Sequence, residues 1–185
     1  LRAIQQQVGI TFIYITHDQG EALTMSDRIA VMSDGVIEQV ADGKTVYDSP
    51  STPFVASFVG ENNAFAGRVA SADGSGAVVE TPFGNLRGGN PKGLKAGDKA
   101  ILFVRPEILK VGKGSADTSF ASAVNSVAFE GNLTHLYLDS KGKKDIMVTV
   151  GRHGGVKIPL QGATAQVTYD PAYATVLPDG KMARE

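Results

Sequence analysis

The chain has 185 residues, 42% of them apolar, and a net charge of −1 from 18 basic and 19 acidic side chains. That length allows one good domain, or one and part of another. The charge balance supplies no basic field for nucleic acid or an anionic lipid surface. With no cysteine and no tryptophan, the chain has no disulfide, thiolate metal site or cysteine nucleophile, and little means of stacking on bases. No apolar run approaches the ~18 to 20 residues of a membrane helix.

The opening LRAIQQQVG places Leu1, Ile4 and Val8 at helical spacing with Gly9 as a stop. A chain that opens inside a helix, without Met or a leader, reads as cut from a longer protein. ITFIYIT, residues 10–16, is an almost unbroken apolar run, which predicts a strand buried on both faces in a parallel sheet. If its neighbours are missing, another chain or strand exchange is expected to cover it. Asp18 is placed to cap the next helix, with Glu21 as its capping-box partner and Ala22, Leu23 and Met25 as an apolar side. RIAVM and VIEQV flank SDG, a hairpin signal. Asp42 then caps a short helix through Val46 and Tyr47, which Pro50 ends. A last helix, TPFVASFVG, has Pro53 in its first turn, Phe54 and Phe58 one turn apart, and Gly60 closing it.

Beyond Gly60, helical spacing gives way to short apolar runs between glycine-rich turns. The predicted strands are AGRVA, GAVVE, KAILFVR, FASAVNSVAF, THLYLD, IMVTV, AQVTY and YATVL. They describe a small all-β domain, barrel or sandwich, with its boundary near residue 60.

Few motifs carry chemistry. GKT at 43–45 lacks the glycine a phosphate-binding loop needs, because Glu38 stands there and would repel phosphate. Asp139 and Asp170 sit among turn residues and read as strand ends. The histidines 17, 135 and 153 are too scattered for a metal motif. His135 alternates with Leu136 and Leu138 on a strand, and His153 lies in a glycine turn, so both read as structural or solvated. Arg105 and Glu107 flank Pro106 as a local ion pair at a strand end. His17 differs, because the apolar run delivers it to the carboxyl end of a strand where a helix begins, the place where ligands bind in open parallel sheets. The bland alternative is a histidine that bonds a neighbouring loop. A hydrolase using His17 and Asp18 is disfavoured, since adjacent strand residues face opposite ways and no local motif brings a nucleophile.

Taken together, GITFIYITHDQGEALTMSDRIAVMSDGVIEQV (9–40), VYDSPSTPFVASFVGENN (46–63) and FVRPE (103–107) resemble the tail of an ABC transporter ATP-binding subunit. The nearest group is the importer ATPases for polyamines, ferric iron and sugars that carry a C-terminal TOBE domain. The likeness is close for residues 1–60 and loose for 61–185. It implies a fold in which residues 1–60 are the α/β C-terminal end of an ABC nucleotide-binding domain and residues 61–185 an all-β OB-like TOBE barrel. It also implies that His17 is the switch histidine, reaching the γ-phosphate of ATP between two subunits. ATP and Mg²⁺ then belong to the intact parent. The fragment alone, without the phosphate-binding loop, the signature run and the acidic strand end, is expected to need no cofactor and to hydrolyse no ATP. The implied partners are a second copy of the subunit, integral membrane permease subunits and an extracytoplasmic solute-binding protein, with no nucleic acid. The implied location is the cytoplasmic face of a bacterial membrane, reached through the permease. Two departures touch no chemistry: Gly20 replaces the family's usual Glu, and ADGKT its Gly-Thr-Pro-Glu-Glu run. The competing function is a free-standing OB-like module that binds a small anion or other small ligand.

Overall fold

The computed structural model describes residues 2–142, 144–152 and 155–183. They form two compact units, Leu1–Gly60 joined by the tail from Met182, and Glu61–Lys181. Leu1 and His153, named above, lie outside the described residues.

The first unit begins with α1 (Arg2–Val8) and α2 (Gln19–Met25), followed by a hairpin of β1 (Ile29–Ser33) and β2 (Val36–Ala41). Its turn residues Asp34 and Gly35 have φ of 50° and 80°, and Ser33 pairs with Val36 across a two-residue loop, as an Asp-Gly mirror-image turn requires. Next come α3 (Gly43–Asp48) and α4 (Pro53–Phe58). Asp42 accepts from the Thr45 amide at 2.9 Å and the Thr45 hydroxyl at 2.6 Å. The GKT triplet is therefore the first turn of a capped helix rather than a loop open to phosphate. Thr52 caps α4, on which Phe54 and Phe58 stack with ring centres 5.5 Å apart. Val31, Val46, Val55 and Val59 form a small core, with Leu23, Ile29 and Tyr47 packed on it.

One expectation is overturned in this unit. Residues 10–16 form no strand and pair with nothing among the described residues. Ile13 and Ile15 are 92% and 93% exposed, so in the single chain the run lies bare. A ladder exists between strands, and an apolar run whose N–H and C=O groups meet no neighbouring strand cannot make one. No parallel sheet arises: every strand pair among the described residues is antiparallel, and the one parallel contact is an isolated Gly89–Thr175 bridge in the second unit.

The second unit holds two five-stranded sheets around one core. The first contains β3 (Asn63–Asp73), β4 (Gly76–Thr81), β5 (Gly84–Gly88), β6 (Lys99–Val104) and β12 (Ala174–Pro178), in the order β12-β6-β3-β4-β5. The second contains β7 (Lys110–Val111), β8 (Ser119–Glu130), β9 (Leu133–Leu138), β10 (Ile146–Gly151) and β11 (Thr164–Thr168), in the order β10-β9-β8-β11-β7. All eight predicted strands are present. β5 and β7 are additions. Inward residues of both sheets, among them Phe65, Val79, Leu102, Val124, Leu136, Val148 and Val167, meet in one cluster.

The first sheet closes on itself. Past β5, the Gly89 amide donates to the Ala174 carbonyl and the Val176 amide donates to the Gly89 carbonyl, both at 2.8 Å. The closing strands approach so tightly that a Cβ on Gly88 would lie 3.0 Å from the Ala174 carbonyl oxygen of β12, and it would also meet the Leu102 Cδ1 of β6 at 2.5 Å. Only glycine fits that seam.

Asn63 links the two sheets. Its side-chain amide donates to the Met147 carbonyl, and its side-chain carbonyl accepts from the Met147 amide, both at 2.8 Å. Asn63 is 5% exposed and serves as a one-residue extra strand along the rim of β10. Asn63→Leu is expected to cost about 2 to 3 kcal/mol in urea unfolding, because both Met147 backbone groups lose their partner inside the protein. Arg105 is likewise 7% exposed rather than a surface charge, and donates to the Glu61 carbonyl at 3.0 Å.

Candidate functional site

His17 stands between the bare segment and α2, and the backbone on both sides of it is held. The Asp18 amide donates to the Thr16 hydroxyl oxygen at 2.9 Å. The Asp18 carboxylate accepts from the Glu21 amide at 2.9 Å, the expected helix cap. Glu21 does not complete the capping box by reaching back to the Asp18 amide. Its Oε2 accepts instead from the Tyr14 and Thr16 hydroxyls, each at 3.1 Å. The carboxylate wins these partners because Thr16 already satisfies the Asp18 amide. The bond to Glu21 and the nearness of its charge push the Tyr14 phenol up from its ordinary value.

The result is a histidine displayed at a pinned turn. Its side chain is exposed, and among the described residues its ring makes no hydrogen bond. Either ring nitrogen is free to donate to, or accept from, a group brought from outside. Asp18 is committed to the cap, so it does not orient the imidazole. Among the described residues, no three His, Asp or Glu side chains are grouped to hold a metal ion.

The other sequence candidates have structural work. His135 sits on β9, with Nδ1 3.0 Å from the Thr149 hydroxyl and Nε2 3.4 Å from the Glu130 carboxylate. Asp139 accepts from the Lys141 amide and Asp170 from the Ala172 amide, both as turn residues.

Sequence reasoning missed a polar cluster around Arg87 of β5. Its Nε donates to Asp117 at 3.1 Å, and its Nη1 donates to the Ser75 hydroxyl at 2.9 Å and to Asp73 at 3.3 Å. Bonds from Ser75, then the Arg87 charge, hold the Asp73 carboxyl at about 2. The Tyr169 hydroxyl donates to the Arg87 carbonyl at 2.9 Å, and burial pushes that phenol far up. These bonds tie β5 to the β3–β4 turn and to the segment before β8. A lone Arg in GNLRG gave no signal of it.

Among the described residues no helix is long and apolar enough to cross a membrane. The closed antiparallel sheet and its companion define an OB-like fold, and residues 102–177 match the TOBE domain family. A solved structure of the cytoplasmic molybdate-binding protein ModG, with molybdate bound, superposes with a TM-score of 0.52 at 17% identity. It covers 63% of this chain and 96% of its own, which is a likeness of fold. Curated relatives extend the match beyond the β unit. The spermidine/putrescine import ATP-binding protein PotA of Rubrobacter xylanophilus is 45% identical over 75% of this chain and 37% of its own length. Proteins of the same name from Frankia alni and Thermobifida fusca are 36% and 35% identical over 97% and 96% of this chain, and 42% and 47% of their own. The chain thus carries a TOBE domain and is a relative, over most of its length, of the ATP-binding proteins of ABC importers. It spans less than half the length of these relatives.

Proposed function

We propose that the chain is the C-terminal part of the ATP-hydrolysing subunit of an ABC import transporter. Residues 1–60 form the α/β end of its ATPase domain, and residues 61–185 form a TOBE domain that serves dimer contact and regulation. The observation that carries this reading is the match to import ATP-binding proteins over 96 to 97% of the chain, across both units, at 35 to 36% identity. The ATPase subunit works at the cytoplasmic face against permease subunits and pairs with a second copy, while a solute-binding protein presents the cargo outside. The relatives' names make a polyamine the first cargo to test.

In this reading bound ATP supplies the phosphoryl group that is transferred to water. The contribution of this chain is His17, whose ring N–H donates to a γ-phosphate oxygen in a charge-assisted bond. Its exposed ring and the pinning of Thr16 and Asp18 suit that task. Mg²⁺ finds no ligand set among the described residues. A free-standing anion-binding module is the weaker reading, because the likeness to ModG is one of fold alone.

A chimera tests the proposal. The matching part of the Thermobifida fusca protein is replaced by this chain, and spermidine uptake is measured in cells lacking their own importer. Restored, ATP-dependent uptake is expected. A chimera that folds and binds ATP but neither hydrolyses it nor restores uptake overturns the assignment.

A further inference from the structure

We propose that the C-terminal half of β8 is a pairing edge for a second copy of this chain, joined antiparallel about a two-fold axis at Ala128. This gives the second-copy partner proposed above a place on the β unit, and it rests on that reading.

The edge follows from the ladder register. β11 pairs with β8 only from Ser119 to Ala123. Val124 adds one more step, its amide donating to Ala163 at 2.9 Å and its carbonyl accepting from Gly162 at 2.8 Å. From Ser126 to Glu130, β8 pairs with β9 on its other side. Among the described residues no backbone hydrogen bond reaches the opposite edge over that stretch. Two other rims are capped: Asn63 and the Pro106 carbonyl, which accepts from the Thr149 amide at 2.9 Å, bond β10, and Gly89 bonds β12. An open antiparallel edge accepts extended backbone and little else.

The side chains along this edge say what kind of strand fits. Val127 stands opposite Leu136, so it shares the face that elsewhere forms the core, and Phe129 lies two residues further on the same face. Yet Val127 is 40% and Phe129 68% exposed. Pairing about Ala128 sets Val127 opposite Phe129 of the second copy, and Phe129 opposite its Val127. Aromatic and β-branched residues directly opposed are favourable pairs. Ser126 then meets Glu130, a hydroxyl against a carboxylate, and no like charges face each other. The edge is complementary to itself, which favours an isologous contact over a foreign peptide.

The absence of cysteine makes the test clean. A128C puts a single thiol on the axis, where directly opposed Cα atoms lie about 4.5 to 5.5 Å apart, within disulfide reach. Mild oxidation of the 185-residue chain is expected to give at least about tenfold more covalent dimer than Y173C, through the raised effective concentration of the second thiol. Tyr173 is 65% exposed and lies away from this edge. Adding F129D to A128C, a change at an exposed side chain, is expected to return the yield to the Y173C level. Equal yields from A128C and Y173C, or an A128C yield that F129D leaves untouched, overturn the proposal. If sedimentation shows a dimer that A128C fails to capture, this edge is wrong and the second-copy reading stands. A monomer with no captured dimer overturns both.

Discussion

Replacing His17 with Ala in the complete subunit is expected to lower ATP turnover by about 10²- to 10³-fold, the loss typical of one preorganised donor to developing charge. Nucleotide affinity is expected to stay nearly unchanged. The two are read separately, by phosphate release at saturating ATP and by nucleotide titration without turnover. The substitution is a clean probe because the His17 ring has no hydrogen-bond partner among the described residues, while Thr16, Asp18 and Glu21 hold the turn without it. A drop in turnover therefore reads on the imidazole and not on a collapsed turn. Unchanged turnover removes His17 from the mechanism and leaves it a solvated helix-entry residue.

Gly67→Ala is expected to be the most damaging small substitution in the β unit, costing about 3 kcal/mol or more. Gly67 pairs with Ala100 on one side, and on the other an added Cβ would fall 2.0 Å from the Glu80 carbonyl oxygen and 2.9 Å from its carbon. These atoms belong to the β4 backbone and cannot yield as the end of a flexible side chain does. β3 and β4 must separate, and the core residues Val69, Ala77 and Val79 between them separate too. Gly74→Ala is the control. It meets nothing within 4 Å at the tip of the same hairpin, and its expected effect lies within about 0.5 kcal/mol. Urea unfolding of both variants decides the matter, and equal midpoints would show that the sheet relaxes around Gly67.

Much of the β unit was legible because its strands carry their own pattern. FASAVNSVAF alternates, with Phe120, Ser122 and Val124 turned inward. KAILFV reads as a strand and is one, buried from Ala100 to Val104. β5 was not legible, since GNLRG buries only Leu86 and Gly88 and looks like a turn. The run 10–16 shows the opposite failure. Its composition is that of a strand, but a strand is a relation between two segments, and hydrophobicity records only one of them. At the candidate site, the Asp18 cap followed from residue type and spacing, whereas Glu21 obeyed nearby hydroxyls that no spacing rule weighs. Position alone left His17 between two readings, and the switch role proposed for it rests on resemblance. The Asn63 clamp and the Arg87 cluster join residues 84 and 30 positions apart, beyond the reach of local pattern.

The closing of the first sheet carries a consequence for biosynthesis. β12 is the last of the described strands to be made, yet it lies between β6 and Gly89 and supplies Ala174 and Val176 to the interior. While a ribosome still holds that stretch, earlier strands can form hairpins but the cylinder stays open along one side, with its oily lining wet. A chain cut before Ala174 therefore loses more than a tail: it lacks the stave that turns a curled sheet into a barrel.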